Sequence, residues 1–215
     1  MDSIDSIHQM TREAYNKAAD KYHILFYNEM NEKEYDRNLL DSFSELLESG
    51  ASVCDAGCGP SGHIGKYLLD KGLKITGVDI SDRCVEMASE YNPEIRFIRG
   101  DIVNMSFPDE SFDGVISYYS IINTPKKHLG RIFAEFNRIL KPRGYLLVAV
   151  KEGDKEGIIN DFMGVGADIY FSLFNESEIR KYCSGNGFEL VFIETRNPYD
   201  FEINNRRIFA IGRKC

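Results

Sequence analysis

No stretch of this 215-residue chain is long and apolar enough to span a bilayer, and its first residues show no signal-peptide pattern. The expectation is a cytoplasmic protein with no membrane partner. The five cysteines (Cys54, Cys58, Cys84, Cys183, Cys215) are odd in number, contain no C-x-x-C and have no matching pair of histidines. That spacing predicts reduced thiols and no metal site. Basic charge is also in short supply: 26 Lys and Arg face 34 Asp and Glu, a net charge of −8. An acidic chain is a poor non-specific binder of nucleic acid, so no nucleic-acid partner is expected. There is no internal repeat and no low-complexity tract.

What the chain does have is alternation. Before residue 50, Ala14, Tyr15, Ala18, Ala19 and Tyr22 recur at helical spacing, as do Leu39, Leu40, Phe43, Leu46 and Leu47, ending at Ser49-Gly50. Strand patterns then appear at 52–55, 73–79, 94–99 and 112–117, separated by helical patterns at 62–71, 82–91 and 128–140. Strands alternating with helices imply βαβ units and a parallel sheet. Pro142-Arg143-Gly144 predicts a turn into a fifth strand at 145–150. Residues 152–175 read as a long irregular connection, and Asn175-Glu176-Ser177-Glu178 starts a further helix that Gly185-Asn186-Gly187 stops. The last two strands, 188–195 and 207–212, are joined without a helix pattern, which predicts an antiparallel pair. The fold class expected is α/β: a doubly wound, mostly parallel seven-stranded sheet with a C-terminal antiparallel hairpin.

The segment Val53-Cys54-Asp55-Ala56-Gly57-Cys58-Gly59-Pro60-Ser61-Gly62-His63-Ile64 carries the most chemistry. A buried strand ends in an acid, passes through a glycine-rich turn and enters a helix. Glycines permit a sharp turn and a close approach to a ligand. Twenty residues after Gly59, Asp79 closes a second strand, a spacing that suits an acid gripping ribose hydroxyls. Asp101 follows a third. The literal G-x-G-x-x-G also matches a dinucleotide fingerprint, but Asp55 would repel a pyrophosphate and would suit an ammonium group.

With DAGCG at Asp55–Gly59, GVDIS at Gly77–Ser81, GD at Gly100–Asp101, FPDESFDGVIS at Phe107–Ser117, LKPRGYLLVAV at Leu140–Val150 and GFELV at Gly187–Val191, the chain resembles the class I S-adenosylmethionine-dependent methyltransferases of the small-molecule type. The pieces occur in the family's order over residues 50–215. Pro60-Ser61-Gly62 departs from the family's shorter turn. The resemblance implies residues 1–50 as a helical lid, 51–215 as the cofactor-binding domain, and 152–175 as an acceptor-side connection. It implies S-adenosylmethionine as cofactor and S-adenosylhomocysteine as product. Asp55, Ala56, Gly57 and Gly59 would pass beneath the methionine part, with His63 beside them and Asp55 reaching its amino group. Asp79 would hold the ribose. Gly100 and Asp101 would meet the adenine amino group, with Ile80 and Ile102 on the adenine faces. Ser117, Tyr118 and Ser120 would border the sulfonium, and Tyr15 and Tyr22 would close over it from the lid.

The function implied is transfer of a methyl group to a small-molecule acceptor by in-line displacement, mainly through alignment. The alternatives are a nicotinamide-dependent oxidoreductase or a non-catalytic cofactor-binding module. The segment after strand four lacks the Asn/Asp-Pro-Pro-Tyr signature of enzymes that methylate amino groups of bases. No catalytic base stands out among His8, His23, His63 and His128, and Lys151-Glu152 reads as a solvated ion pair. The acceptor stays open, and the chain is expected as a monomer or homodimer.

Overall fold

The computed structural model describes residues 3–215, so the first two residues of the expected helical segment lie outside the described residues. Among the described residues, nine strands and six α-helices follow in the order expected, with one addition. The main sheet has seven strands in the order β3-β2-β1-β4-β5-β9-β8. These are β1 (Ser52–Ala56), β2 (Lys74–Asp79), β3 (Arg96–Arg99), β4 (Phe112–Tyr118), β5 (Leu140–Lys151), β8 (Phe188–Arg196) and β9 (Arg207–Lys214). The pairings among β1 to β5 are parallel, while β9 runs antiparallel to both β5 and β8. The expected C-terminal hairpin is therefore present. Strand order reverses between β1 and β4, and in open α/β sheets that reversal opens a crevice at the carboxyl ends of the strands.

Both faces of the central strands are covered, which is why they read as continuous apolar runs rather than alternations. On one face, Val115, Leu146, Val148 and Val150 pack against Ile132, Phe133 and Phe136 of α5 (Leu129–Ile139) and Ile179 of α6 (Glu176–Gly185). On the other, Ile116, Leu147, Ala149 and Phe209 pack against Leu39, Leu40 and Phe43 of α2 (Glu34–Glu45), and Val53 and Ile75 against Ile64 and Leu68 of α3 (His63–Leu69). Burial of one such aliphatic or aromatic side chain stabilises by about 1.5–3 kcal/mol. Helix ends follow the sequence signals. Ser81 caps α4 (Asp82–Tyr91) by accepting from the Cys84 amide at 3.1 Å, and Asn175 forms a reciprocal capping box with Glu178 on α6.

The first expected helix is α1 (Ile4–Phe26), one continuous helix of 23 residues. Two features depart from expectation. Strand β5 starts at Leu140 rather than after Gly144; Arg143 adopts a left-handed φ of +65°, and the register against β4 shifts between Phe112 and Gly114. The connection after β5 contains a separate two-stranded antiparallel sheet, β6 (Glu156–Ile159) with β7 (Ile169–Ser172). Its strands are four residues each, too short to show a period, and β7 is held from outside. The Asn123 amide donates to the Tyr170 carbonyl (2.8 Å), and the Ser172 hydroxyl donates to that of Thr124 (2.8 Å).

Candidate functional site

Two adjoining clefts open at the carboxyl ends of β1, β2 and β4. The first encloses about 610 Å³ of non-atom space, part of it open to solvent. The second encloses about 380 Å³. Tyr22, Gly57, Gly59, Tyr118 and Tyr119 line both, so the glycine turn and the end of β4 form the divide.

The turn's geometry explains its glycines. The Gly57 and Cys58 amides both donate to the Val78 carbonyl, at 2.7 and 3.0 Å, folding the turn across β2. Gly57 has φ +91°, and a Cβ there would sit 2.2 Å from that of Ser120. Gly59, at φ +64°, has no atom within 4 Å of where its Cβ would be; a side chain there would fill the cleft. The longer turn of Pro60-Ser61-Gly62 is tied down by Asn92, whose amide donates to the Ser61 carbonyl at 2.8 Å.

Asp79 is buried at the floor of the first cleft. One carboxylate oxygen accepts the Gly59 amide and the other the Ser81 amide, each at 2.9 Å. Burial raises its pKa, and those backbone donors oppose the rise. Asp55, on the second cleft, is 1% exposed, and its Oδ2 has no hydrogen-bond partner. Burial, opposed by His63 and the nearby Gly65 amide and reinforced by Asp79, brings its pKa to about 7. The His63 Nε2 lies 2.8 Å from Glu29, and its Nδ1 is buried without a partner. Burial pushes Glu29 up, but His63 and Lys33 outweigh it and its pKa ends lowered.

Helix α1 lies across the first cleft. Asn16 accepts from the Ser81 hydroxyl (2.7 Å) and the Arg83 amide (3.2 Å), which ties α1 to the start of α4. The Tyr15 hydroxyl donates to Asn123 at 3.3 Å, and the Tyr15 ring stands 5.7 Å from that of Tyr22 and 5.5 Å from that of Phe162. His8 reaches Asp101 at 2.6 Å through Nδ1 and Thr124 at 3.2 Å through Nε2. The Val103 amide donates to the other Asp101 oxygen at 2.9 Å. Against the upward push of burial, these two donors hold the Asp101 pKa below its usual value.

Of the residues singled out in the sequence, Tyr15, Tyr22, Gly57, Gly59, Asp79, Ile80, Asp101, Ile102 and Tyr118 line the first cleft. Asp55 and His63 line the second. Ala56, Gly100 and Ser117 line neither. Ala56 is buried within the sheet. The Gly100 amide donates to the Asp79 carbonyl at 2.9 Å. The Ser117 hydroxyl is buried and shares a 2.6 Å hydrogen bond with Ser120, which does reach the cleft. The sequence reading missed His8, Thr11, Asn123, Thr124 and Glu29 as wall residues. Only the helical phase shared by His8, Thr11 and Tyr15 signals the first two. His128 lies outside both clefts, and Lys151 and Glu152 do not pair: Glu152 turns to Arg206 at 3.3 Å. Among the described residues, no group of three or more His, Cys, Asp or Glu could hold a metal ion. No helix among them is long and apolar enough to cross a membrane.

A family model described as "Methyltransferase domain" matches residues 54–148, which take in most of β1 through β5 and the strand-end side of both clefts. A sterol 24-C-methyltransferase of Gibberella zeae is 28% identical over 157 residues, covering 65% of this chain and 41% of that protein. A 2-methyl-6-phytyl-1,4-hydroquinone methyltransferase of Synechocystis is 38% identical over 109 residues, covering 49% of this chain and 33% of that one. The matches thus span less than half the length of these curated relatives. Among solved structures, the magnesium protoporphyrin IX methyltransferase of Synechocystis, crystallised with S-adenosylmethionine, superposes with a TM-score of 0.72 at 19% identity, covering 97% of each chain. That likeness concerns the fold. Sheet order, strand-end acids and matched segment agree: residues 54–148 match the methyltransferase-domain family, and the chain has the fold of a solved S-adenosylmethionine-dependent methyltransferase.

Proposed function

We propose that this protein transfers a methyl group from S-adenosylmethionine to a small-molecule acceptor. The observation that carries the reading is the buried Asp55 oxygen without a donor, set beside a glycine turn that leaves open space at Gly59. A buried carboxylate oxygen is costly unless something donates to it, and an ammonium group supplies that donor. A pyrophosphate would instead meet both Asp55 and Glu29 in the second cleft, which argues against a nicotinamide dinucleotide. The residues present therefore fit the cofactor. Asp79 would hold the ribose hydroxyls, Asp101 the adenine amino group, Ile80 and Ile102 the adenine faces, and Asp55 the methionyl ammonium. The names of the relatives specify sterol and hydroquinone acceptors, which supports a small-molecule acceptor here.

When bound, the cofactor supplies an electrophilic methyl group on a sulfonium. The protein's part is to align and to exclude water. Helix α1 acts as a lid over the first cleft, with Tyr15 and Tyr22 presenting aromatic faces that attract a cation. Ser120 braces the turn at Gly57, and Tyr118 and Tyr119 form the wall between cofactor and acceptor. This division corresponds to a lid before residue 50 and a cofactor-binding unit after it.

Thermal unfolding with S-adenosylmethionine, S-adenosylhomocysteine and NAD tests the reading. At a hundredfold excess over Kd a bound ligand adds about 2.7 kcal/mol, a rise in Tm of roughly 5–10 °C for a chain this size. The first two ligands are expected to give it. A shift with NAD alone overturns the assignment.

A further inference from the structure

Beyond β4, the strand-end rim changes sign. Lys151 at the end of β5 pairs in register with Arg207 at the start of β9, and Arg207 pairs with Arg196 at the end of β8. Directly opposed residues share a face of the sheet, and like charges so placed repel. Two carboxylates relieve the arginines. Asp36 lies 2.8 Å from Arg196 Nη2, and Glu202 lies 2.7 Å from Arg196 Nη1 and 3.5 Å from Arg207 Nε. Glu202 is also shared with Lys33 at 3.0 Å, and Lys33 takes Glu29 at 2.6 Å. Lys151 receives nothing: among the described residues its ammonium makes no hydrogen bond and no ion pair, and its sequence neighbour Glu152 turns to Arg206. The cluster holds four cations (Lys33, Lys151, Arg196, Arg207) against three carboxylates (Glu29, Asp36, Glu202), one positive charge in excess.

Further donors are unused. The Tyr119 hydroxyl and Arg196 Nε are buried without a hydrogen-bond acceptor, and Arg207 Nε has only the ion-pair contact with Glu202 at 3.5 Å. Burial lowers the Lys151 pKa, and Arg207 and Lys33 lower it further. Tyr119 joins this cluster to the clefts. It lines both of them, its ring lies 6.4 Å from that of Phe209, and the Arg196 guanidinium lies 5.5 Å from the same Phe209 ring. It also holds a left-handed backbone, φ +57°, which a bulky aromatic residue adopts only at a cost of about 1–3 kcal/mol and which clusters at functional sites.

A rim with one surplus cation and unused donors lacks an acceptor of charge −1. We propose that the methyl acceptor carries a carboxylate, seated against the Lys151 ammonium and the Tyr119 hydroxyl at the ends of β4, β5 and β9. A carboxylate brings one negative charge and two planar oxygens, which matches a surplus of one and two separate donors. A phosphate dianion would overshoot the balance. The inference rests on the methyltransferase reading, because it assigns the acceptor to the rim beside the cofactor.

The test uses the whole chain with saturating S-adenosylhomocysteine and four probes: acetate and benzoate, each against its neutral amide. Calorimetry is expected to show each carboxylate binding the wild-type protein at least tenfold more tightly than its amide. Lys151→Met is expected to erase that preference while S-adenosylhomocysteine affinity stays within twofold, and Lys151→Arg to retain it. Lys151→Met is also expected to unfold at a temperature equal to or above that of wild type, because it removes the unpaired cation. A structural ion-pair role requires a lower one. The proposal is overturned if neither carboxylate is preferred by the wild type, if the preference survives in Lys151→Met, or if that variant is destabilised. Failure of S-adenosylhomocysteine to bind would count against the methyltransferase reading alone. The same carboxylate and amide comparison on the ligand-free protein would then still decide this one.

Discussion

At the carboxyl edge of the sheet, β1, β2 and the turn after β3 end in Asp55, Asp79 and Asp101, whereas β5, β9 and β8 meet at Lys151, Arg207 and Arg196. The two halves solve the problem of charge at a packed edge differently. Asp79 is held by two amides of its own neighbourhood, and Asp101 by one amide and one side chain from α1. Each acid is handled alone and faces a cleft. The basic half is a shared network in which Asp36 and Glu202 each serve more than one partner, with the 197–206 segment contributing to it. Acids satisfied singly can be altered one at a time. Bases satisfied jointly cannot.

Breaking the network is expected to have the largest effect. Arg196→Ala leaves the fully buried Asp36 without a cationic partner, held only by the Tyr118 hydroxyl, and half-empties Glu202. Removing one partner of a buried ion pair costs about 3–5 kcal/mol, so thermal unfolding is expected to fall by roughly 10 °C. Asp79→Ala tests the acidic half. Two charge-assisted hydrogen bonds to a ligand are worth about 1.5–3 kcal/mol each, so S-adenosylhomocysteine affinity, measured by calorimetry, should fall by at least about 100-fold. A Tm drop as large as that of Arg196→Ala would erase the contrast between the halves.

A third test sharpens the comparison through pH. In the folded chain Asp55 sits near pKa 7, above its unfolded value of 3.8, because it is buried. A carboxyl with a raised folded pKa favours the folded state while protonated. Its contribution is therefore largest below about pH 4 and is lost as pH rises through 7. Asp55→Asn cannot ionise. Without ligand it should be more stable than wild type at pH 8, by up to about 4 kcal/mol, with the gap closing toward pH 4. Denaturant midpoints across that range measure it, and a gap independent of pH would mean that Asp55 is not the titrating group.

The acidic half was readable in the sequence because each acid closes its own apolar strand. Asp55, Asp79 and Asp101 needed only the alternation of strands and helices to be placed at one edge. The basic half was not. Lys151, Arg196 and Arg207 come together only through antiparallel register, and that register depends on a bulge. Pairing of β8 with β9 shifts between Leu190 and Phe192, which sets Arg196 opposite Arg207 rather than Arg206. His8 escaped notice for a related reason: its partners, Asp101 and Thr124, are 93 and 116 residues away. The β6–β7 hairpin was hidden because what fixes it, Asn123 and Thr124, lies outside it.

Helix α1 and the connection carrying that hairpin clasp each other directly. Lys17 donates to the Gly166 carbonyl at 2.9 Å, Lys21 donates to the Met163 carbonyl, and Tyr15 meets Phe162. The helix is made before the segment it clasps, and these partners follow it 142 and 149 residues later. At about 5–20 residues per second, that is a wait of roughly 7–30 s. In the later part of it the glycine turn and strand-end acids are already made, together with the α1 partners Ser81, Arg83 and Asp101, and only this clasp is missing. The order of synthesis thus places this clasp after the residues of the cleft it borders.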